Sequence, residues 1–291
     1  LTYKIKWNKK MKIKFLNLLL ILFLVFSCKE DKIMIKASNN CQNTKRDSTV
    51  SLSSVLKDIK PLMKDKTGVY VLEDGGTAMV TRAWLCEYAE KSIDIQYFIF
   101  SSDNIGLIAC DYLVRAADRG VKVRLLIDDI MVDGGFDDIL SLNAHKNINI
   151  KIYNPGVNLG KNIFQKIGKF ATDFRSANQR MHNKTFVVDK QIVITGGRNI
   201  ADEYFDYDHA YNFRDRDVLL LGKETKQINT SFQQFWDSDL SVPAIELTDT
   251  LPEELNDKDR FSKLHEYACN PENFWPQVRE KIQNLPQVFK S

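Results

Sequence analysis

The chain has 291 residues, of which 44% are hydrophobic and 27% charged with both signs mixed; this composition excludes a disordered chain and supports a buried core. The formal net charge is +3, but residues 1–27 hold six lysines and no acidic residue, so the remainder carries 35 basic and 38 acidic side chains, a net charge of −3. The basic balance is therefore not the footprint of a nucleic-acid-binding protein.

The N-terminal segment has the pattern of an export signal. We expect translation to start at Met11, which is followed by two lysines and an apolar run over 15–27. Thirteen apolar residues are too few to span a bilayer as a helix but fit a secretory signal peptide. The run ends in VFSC (25–28), which resembles the lipobox of bacterial lipoproteins. The resemblance implies that Cys28 carries a lipid and that residues 1–28 are pre-start residues and signal peptide.

This interpretation predicts an exported protein, lipid-anchored to a bacterial membrane on its periplasmic or outer face. An uncleaved signal anchor with an incidental cysteine is the alternative. Residues 29–66 are polar and are predicted to be a tether between the anchor and the folded domain.

The remaining cysteines have no spacing typical of metal ligands, so we predict no zinc site and no other metal or cofactor. Cys86 and Cys110 lie among apolar residues and are predicted to be buried structural thiols. A disulfide is compatible with a location outside the cytoplasm, but the sequence leaves its pairing open.

Strand-like and helix-like segments alternate over residues 67–242, the predicted catalytic half. The predicted helices lie at 76–91, 104–120, 136–145 and 223–240, and the predicted strands at 92–100, 121–129, 148–154 and 212–222. Such alternation predicts an α/β fold, a mixed sheet with helices on both faces. Residues 243–291 are rich in Pro, Glu and Asp and are predicted to be a linker or the start of an incomplete second half.

Residues 182–199, HNKTFVVDKQIVITGGRN, predict a hairpin with a tight turn at Asp189-Lys190. Side chains at i and i+2 share a face of a strand, so His182 and Lys184 are expected to point the same way. A turn centred between 189 and 190 places His182 opposite Gly197 and Lys184 opposite Thr195. The hairpin then brings an imidazole and an ammonium to one rim, with the Asn199 carboxamide beside them.

These groups suit an anionic phosphoryl centre. An ammonium and a carboxamide can donate to phosphate oxygens, and an imidazole is a nucleophile, acid or base near neutral pH. Because the lysine already supplies positive charge, no metal is needed. Gly196 and Gly197, without a Cβ, allow another group to approach their backbone closely.

The spacing His-x-Lys-x4-Asp-x6-Gly-x-x-Asn resembles the HKD signature of the phospholipase D superfamily. Further segments, among them IDIQYFIF, AADRGVKVRLLIDD, FRDRDVLLLG and SFQQFWDS, resemble the N-terminal half of bacterial cardiolipin-synthase-like members. The resemblance covers about residues 68–242. It implies a single HKD half of a phospholipase D-like fold.

The resemblance also implies a mechanism and site residues. His182 would form a phosphohistidine, a second histidine would protonate the leaving alcohol, and Lys184 and Asn199 would hold the phosphate. Asp189, part of the motif, is expected to orient or stabilise rather than react. The common form of the motif has Ser where this chain has Gly197, a position next to the phosphate, so a hydroxyl that can contact the phosphate is missing here.

A complete site uses two HKD motifs, and this sequence has one. The second half would come from a missing C-terminal segment or from a partner in a homodimer. The expected substrate is a phospholipid, reached through the membrane anchor. A homodimeric phosphodiesterase acting on nucleic acid is disfavoured by the net charge of −3 and stays an alternative, as does an inactive half-protein.

Overall fold

A computed structural model describes residue 47 and residues 49–129, 136–155, 179–208, 210–247, 258–270 and 273. The predicted signal peptide and Cys28 lie outside the described residues. Within the described ranges, no helix combines the length and the apolar composition that a membrane crossing requires.

The centre of the fold is one eight-stranded sheet in the order β1-β7-β6-β5-β2-β3-β4-β8. The strands are β1 (Thr67–Leu72), β2 (Ser92–Tyr97), β3 (Lys122–Asp128), β4 (Ile148–Tyr153), β5 (Thr185–Val188), β6 (Ile192–Gly196), β7 (Asp217–Gly222) and β8 (Ser241–Pro243). The neighbours β2, β3 and β4 are parallel, because helices connect them, and the other pairs are antiparallel. The predicted mixed α/β sheet is confirmed.

Four of the six helices in the described ranges, α2 to α5, begin and end close to the predicted positions, whereas α1 and α6 lie in segments that were predicted to be a tether and a linker. They are α1 (Leu52–Leu56), α2 (Gly75–Tyr88), α3 (Asn104–Asp118), α4 (Phe136–Ser141), α5 (Thr225–Trp236) and α6 (Lys258–Cys269). Asp74 and Asp103 accept backbone N–H groups at the starts of α2 and α3. After α3, Gly120 adopts a φ of 96°, which a side chain would disfavour, and the chain turns into β3.

Both faces of the sheet are covered, as alternate residues of β3 show. Leu125 and Ile127 belong to the main core with α2, α3 and α6, whereas Leu126 packs on the opposite face against Phe232 of α5. A strand that is apolar on both faces is typical of a central, mostly parallel part of a sheet.

The folded part begins before residue 67, so the predicted tether over 29–66 is too long at its C-terminal end. Ser51 caps α1 in a capping box, and Leu52 and Leu56, one turn apart, are both buried in the main core. The segment is mostly polar, so its composition alone does not indicate that two of its leucines are buried. Likewise, residues after 242 include α6, whose Tyr267 and Ala268 join the same core.

The cysteines divide into two kinds. Cys86 and Cys110 are buried, as predicted, and burial raises the pKa of the Cys86 thiol to about 12. Cys269 is disulfide-bonded. The chain therefore contains the kind of bond that persists in oxidising compartments.

Candidate active site

The β5–β6 hairpin forms as predicted, but its register differs by one residue. Asp189 and Lys190 have φ values of 51° and 56°, and the Gln191 N–H donates to the Val188 carbonyl, which makes the tight turn. Thr185 pairs with Thr195 and Val188 with Ile192, so Gln191 is an extra residue on the second strand. The predicted pairing of His182 with Gly197 and of Lys184 with Thr195 is therefore wrong by one position.

His182 and Lys184 come together on one side of the chain. The Lys184 Nζ lies 3.3 Å from Nε2 of His182 and donates a 3.0 Å hydrogen bond to the His182 carbonyl. An ammonium has no acceptor, so this arrangement leaves the Nε2 lone pair as the acceptor and places the ring proton on Nδ1. The imidazole is exposed, whereas Lys184 is 7% exposed. An exposed imidazole thus lies against a buried ammonium group, which contacts its Nε2.

Phe98 forms the wall behind both groups. Its ring centre lies 4.9 Å from that of His182 and 5.4 Å from the Lys184 Nζ. The aromatic face attracts the ammonium and limits the rotamers of the imidazole. Phe98 follows β2 directly, so the ends of β2 and of the hairpin meet at this point.

Lys184 has an altered electrostatic environment. Burial lowers the pKa of its ammonium, and the negative charge of Asp215 raises it in part. Asp215 lies on the segment before β7, and sequence reasoning assigned it no role. The FRDRD stretch in which it lies was predicted to be part of a strand over 212–222, but β7 begins only at Asp217.

Asn199 is held against the chain segment that follows Phe98. Its Oδ1 accepts the Ile99 N–H at 3.0 Å, and its side chain also makes a hydrogen bond with the Tyr204 hydroxyl. Ile200 pairs with Phe100 beside it. Asn199 is 2% exposed. Its carboxamide is therefore fixed near the rim but already engaged with neighbouring groups.

Both glycines of the motif are required by close packing, as predicted. The group that approaches their backbone is the segment of the same chain just before and at the start of β7. A Cβ on Gly196 would collide with the Arg216 carbonyl and with Asp217. A Cβ on Gly197 would collide with the Asp215 carboxylate. The space beside Gly197, predicted as part of a phosphate-binding position, is occupied by that carboxylate.

Asp189 lies at the other end of the hairpin from His182. Its carboxylate accepts the backbone N–H groups of Glu90, Lys91 and Ser92 at 2.7–2.9 Å. Five residues of extended chain separate it from Lys184, which is a distance of about 16 Å. The side chain therefore joins the hairpin turn to the start of β2.

We expect the Asp189→Ala substitution to lower the free energy of unfolding by about 2–3 kcal/mol, because three buried backbone donors lose a charged acceptor. Urea unfolding followed by circular dichroism measures this change. Asp58→Ala, at an exposed aspartate, is the matched control and should shift stability by less than about 0.5 kcal/mol. Equal stability of the two variants would contradict the structural role of Asp189.

A buried charge network lies beneath the GGRN segment. The Asp217 carboxylate pairs with Arg82 at 2.8 Å and lies 3.7 Å from Arg198, which also donates to the carbonyls of Leu72, Glu73 and Tyr204. The arginine that separates Gly197 from Asn199 is thus a structural residue. No sequence spacing connects positions 82, 198 and 217, so this network was missed.

A second ion pair holds the chain just before His182. Asp128, at the end of β3, accepts the Met181 N–H at 2.7 Å and pairs with Arg180 at 3.1 Å. Because Asp128 is fully buried, this pair fixes the backbone that carries the imidazole. Within the described part of the chain, no group of three or more His, Cys, Asp or Glu side chains is arranged to hold a metal ion.

Known proteins are similar to a large part of this chain. An uncharacterized protein of Helicobacter pylori is 41% identical over 76% of this chain and 43% of its own length. Cardiolipin synthase C of Escherichia coli is 36% identical over 66% of this chain and 40% of its own length. The solved structure of NucT from Helicobacter pylori matches 61% of this chain and 98% of that one, with 16% identity and a TM-score of 0.45.

The chain spans about two fifths of the length of the curated relatives that it matches. The protein family described as "Cardiolipin synthase, PLD-like domain" matches residues 85–236, which is more than half of the chain and includes β2, the hairpin, Arg198 and Asp217. By its sheet, its HKD motif and this match, the protein belongs to the phospholipase D superfamily, in the cardiolipin-synthase-type family of PLD-like domains.

Proposed function

We propose that this chain is the His182-bearing half of a phosphodiester-cleaving or phosphatidyl-transferring enzyme that acts on phospholipids. The main support for this proposal is the contact between the exposed His182 imidazole and the buried Lys184 ammonium, whose Nζ lies 3.3 Å from Nε2. Family membership supports phosphodiesterase or phosphatidyltransferase chemistry, and the similarity to cardiolipin synthases supports a phospholipid as the substrate.

In the proposed reaction, the Nε2 lone pair of His182 attacks phosphorus and the bond from phosphorus to the leaving alcohol oxygen breaks. The alcohol leaves with a proton from an acid, and the phosphatidyl group remains on Nε2. An acceptor hydroxyl then attacks phosphorus, loses its proton to the same group and releases His182. Lys184 neutralises the charge that develops on the phosphate oxygens.

We propose that the acid is a histidine from a second HKD half. The other described histidines are engaged elsewhere: His145 lies 3.2 Å from Asp118 and His265 lies 3.0 Å from Asp111, both on α3. The matched segments make up only 43% and 40% of the lengths of these relatives, which is compatible with a second half in a C-terminal segment. A homodimer that pairs two copies of the motif is the other source.

We further propose that the protein is exported and anchored to a bacterial membrane through Cys28. The disulfide at Cys269 supports an oxidising compartment, since cytosolic proteins rarely keep such bonds. An anchor would hold the exposed imidazole near its lipid substrate. If Cys28 carries a lipid, the wild-type protein should partition into membranes, and the Cys28→Ser variant should not.

The function is tested by incubating the chain with phosphatidylglycerol in detergent micelles, with and without glycerol. Hydrolysis yields phosphatidic acid, whereas transfer to glycerol yields labelled phosphatidylglycerol when the acceptor carries the label. With the second histidine supplied by a homodimer, we expect turnover in the wild type and none in His182→Ala. Equal turnover in both proteins would remove the proposed role of His182, and cleavage of plasmid DNA without phospholipid turnover would favour the nuclease alternative.

The pH dependence of the reaction should report on Lys184. The pKa of Lys184 is lowered by burial and partly raised by Asp215, so removing the Asp215 charge should lower this pKa further. If the protonated lysine is required, Asp215→Asn moves the alkaline limb of the pH–rate profile to lower pH. Asp239→Asn, an exposed control, should leave the limb in place. A shift of the limb to higher pH in Asp215→Asn would contradict this assignment.

A further inference from the structure

A basic groove lies at the turn end of the β5–β6 hairpin. It has a volume of about 630 Å³, and its walls come from the segment after α1, the hairpin turn and the start of α5. Five lysines line it, and no acidic residue does: Lys57, Lys60, Lys64, Lys190 and Lys223. All five are exposed, in a chain whose net charge beyond residue 27 is −3.

The ammonium groups of the groove have no anionic partner in the described part of the chain. None of the five forms an ion pair there, and Lys60 donates only to the Gln191 side chain at 2.9 Å. Asp58, Asp65 and Glu224 belong to the same segments but do not line the groove. Like charges that converge without a counter-charge favour the binding of an anion.

Two further features point in the same direction. Lys190 is one of the two residues of the hairpin turn, with a φ of 56°, so the turn itself presents a lysine to the groove. The twelve-residue helix α5 begins at Thr225, which lines the groove, and its N-cap residue makes no side-chain hydrogen bond to the helix. The positive end of the helix dipole therefore adds to the lysine charges.

We propose that this groove is a second anion-binding site, separate from the His182 site, for a multivalent phosphate group. The ligand is either a free phosphate or pyrophosphate or the phosphate of a lipid headgroup. Lysine ammonium groups bind phosphate as point charges, and a group with two or more negative charges gains most from several of them. The four strand residues Thr185–Val188, with a length of about 13 Å, lie between Lys184 and the hairpin turn that carries Lys190.

The test is a calorimetric titration of the full chain with inorganic pyrophosphate at low ionic strength. In the triple variant Lys60→Gln/Lys190→Gln/Lys223→Gln, affinity should fall by about tenfold or more, because three charge-assisted contacts are lost. The control triple variant Lys91→Gln/Lys146→Gln/Lys263→Gln removes the same charge from exposed positions outside the groove and should stay within about twofold of the wild type. The thermal midpoint of each variant verifies its folding.

Lys184→Met separates this site from the His182 site and should keep the groove affinity. Loss of binding in Lys184→Met but not in the groove variant, or equal loss in both triple variants, would overturn the proposal. Sedimentation with phosphatidylglycerol and with phosphatidylcholine vesicles then identifies the source. Groove-dependent binding to the anionic vesicles alone supports a lipid headgroup as the ligand. Groove-dependent binding of pyrophosphate alone supports a free phosphate. If the groove binds neither the vesicles nor pyrophosphate, the proposed site is ruled out.

Discussion

The His182→Ala chain is expected to lose the burst of p-nitrophenolate that the wild type releases from a p-nitrophenyl phosphodiester. In the wild type, Nε2 attacks phosphorus and the nitrophenolate leaves as a stable anion that needs no proton. This half-reaction therefore requires the nucleophile of one HKD half and not the acid of the second. We expect one equivalent of nitrophenolate per chain, followed by slow hydrolysis of the phosphohistidine.

The expected loss in His182→Ala is about 10³-fold or more in the rate of the burst, as for the removal of a nucleophile in other enzymes. Lys184→Met should retain the burst but slow it by about 10²–10³-fold, because the methionine keeps much of the buried volume and removes the charge that stabilises the phosphate oxygens. The difference between the two variants separates the nucleophile from the group that assists it.

His145→Ala is the matched control, since this histidine lies beside Asp118 at the end of α3 and not at the site. Its burst should equal that of the wild type. A stable phosphoryl adduct on His182, found by mass spectrometry at alkaline pH, would confirm the position of attack. A full burst in His182→Ala would show that the nitrophenolate is released without this imidazole.

The hairpin was predictable because its signals are local. Two short apolar runs, a turn at Asp189-Lys190 and the HKD spacing lie within eighteen residues, and the structure brings His182 and Lys184 together as expected. The register was not predictable, because one extra residue, Gln191, shifts every pairing without changing the pattern of side chains.

The groups that support the site could not be found in the same way. Asp215 and Asp217 reach the glycines and the arginines from a segment more than fifteen residues downstream, and Arg82 lies on a helix 135 residues before Asp217. Only the packed sheet brings them together. α1 was missed for a different reason, since a polar segment can still bury two leucines one turn apart.

The network around Asp217 supports a second large expected effect. In Asp217→Ala, the guanidinium groups of Arg82 and Arg198 lose their shared carboxylate while their surroundings stay buried. Breaking a buried pair from one side leaves an uncompensated charge, and we expect the free energy of unfolding to fall by about 3–5 kcal/mol. Urea unfolding, followed by fluorescence and circular dichroism, measures this loss.

The control is an arginine–carboxylate pair at the surface of the same region. Arg216 pairs with Glu73, both more than 60% exposed, so Glu73→Ala should cost less than about 1 kcal/mol. The contrast follows from solvation, because water replaces the lost partner of Arg216 but cannot reach Arg82.

Since Asp217 also packs against Gly196 and accepts the Arg198 N–H, the Asp217→Ala variant should loosen the GGRN segment before the sheet unfolds. Faster hydrogen exchange at residues 196–200 in native conditions is the expected sign, and unchanged exchange with unchanged stability would mean that the network does not hold the rim of the site.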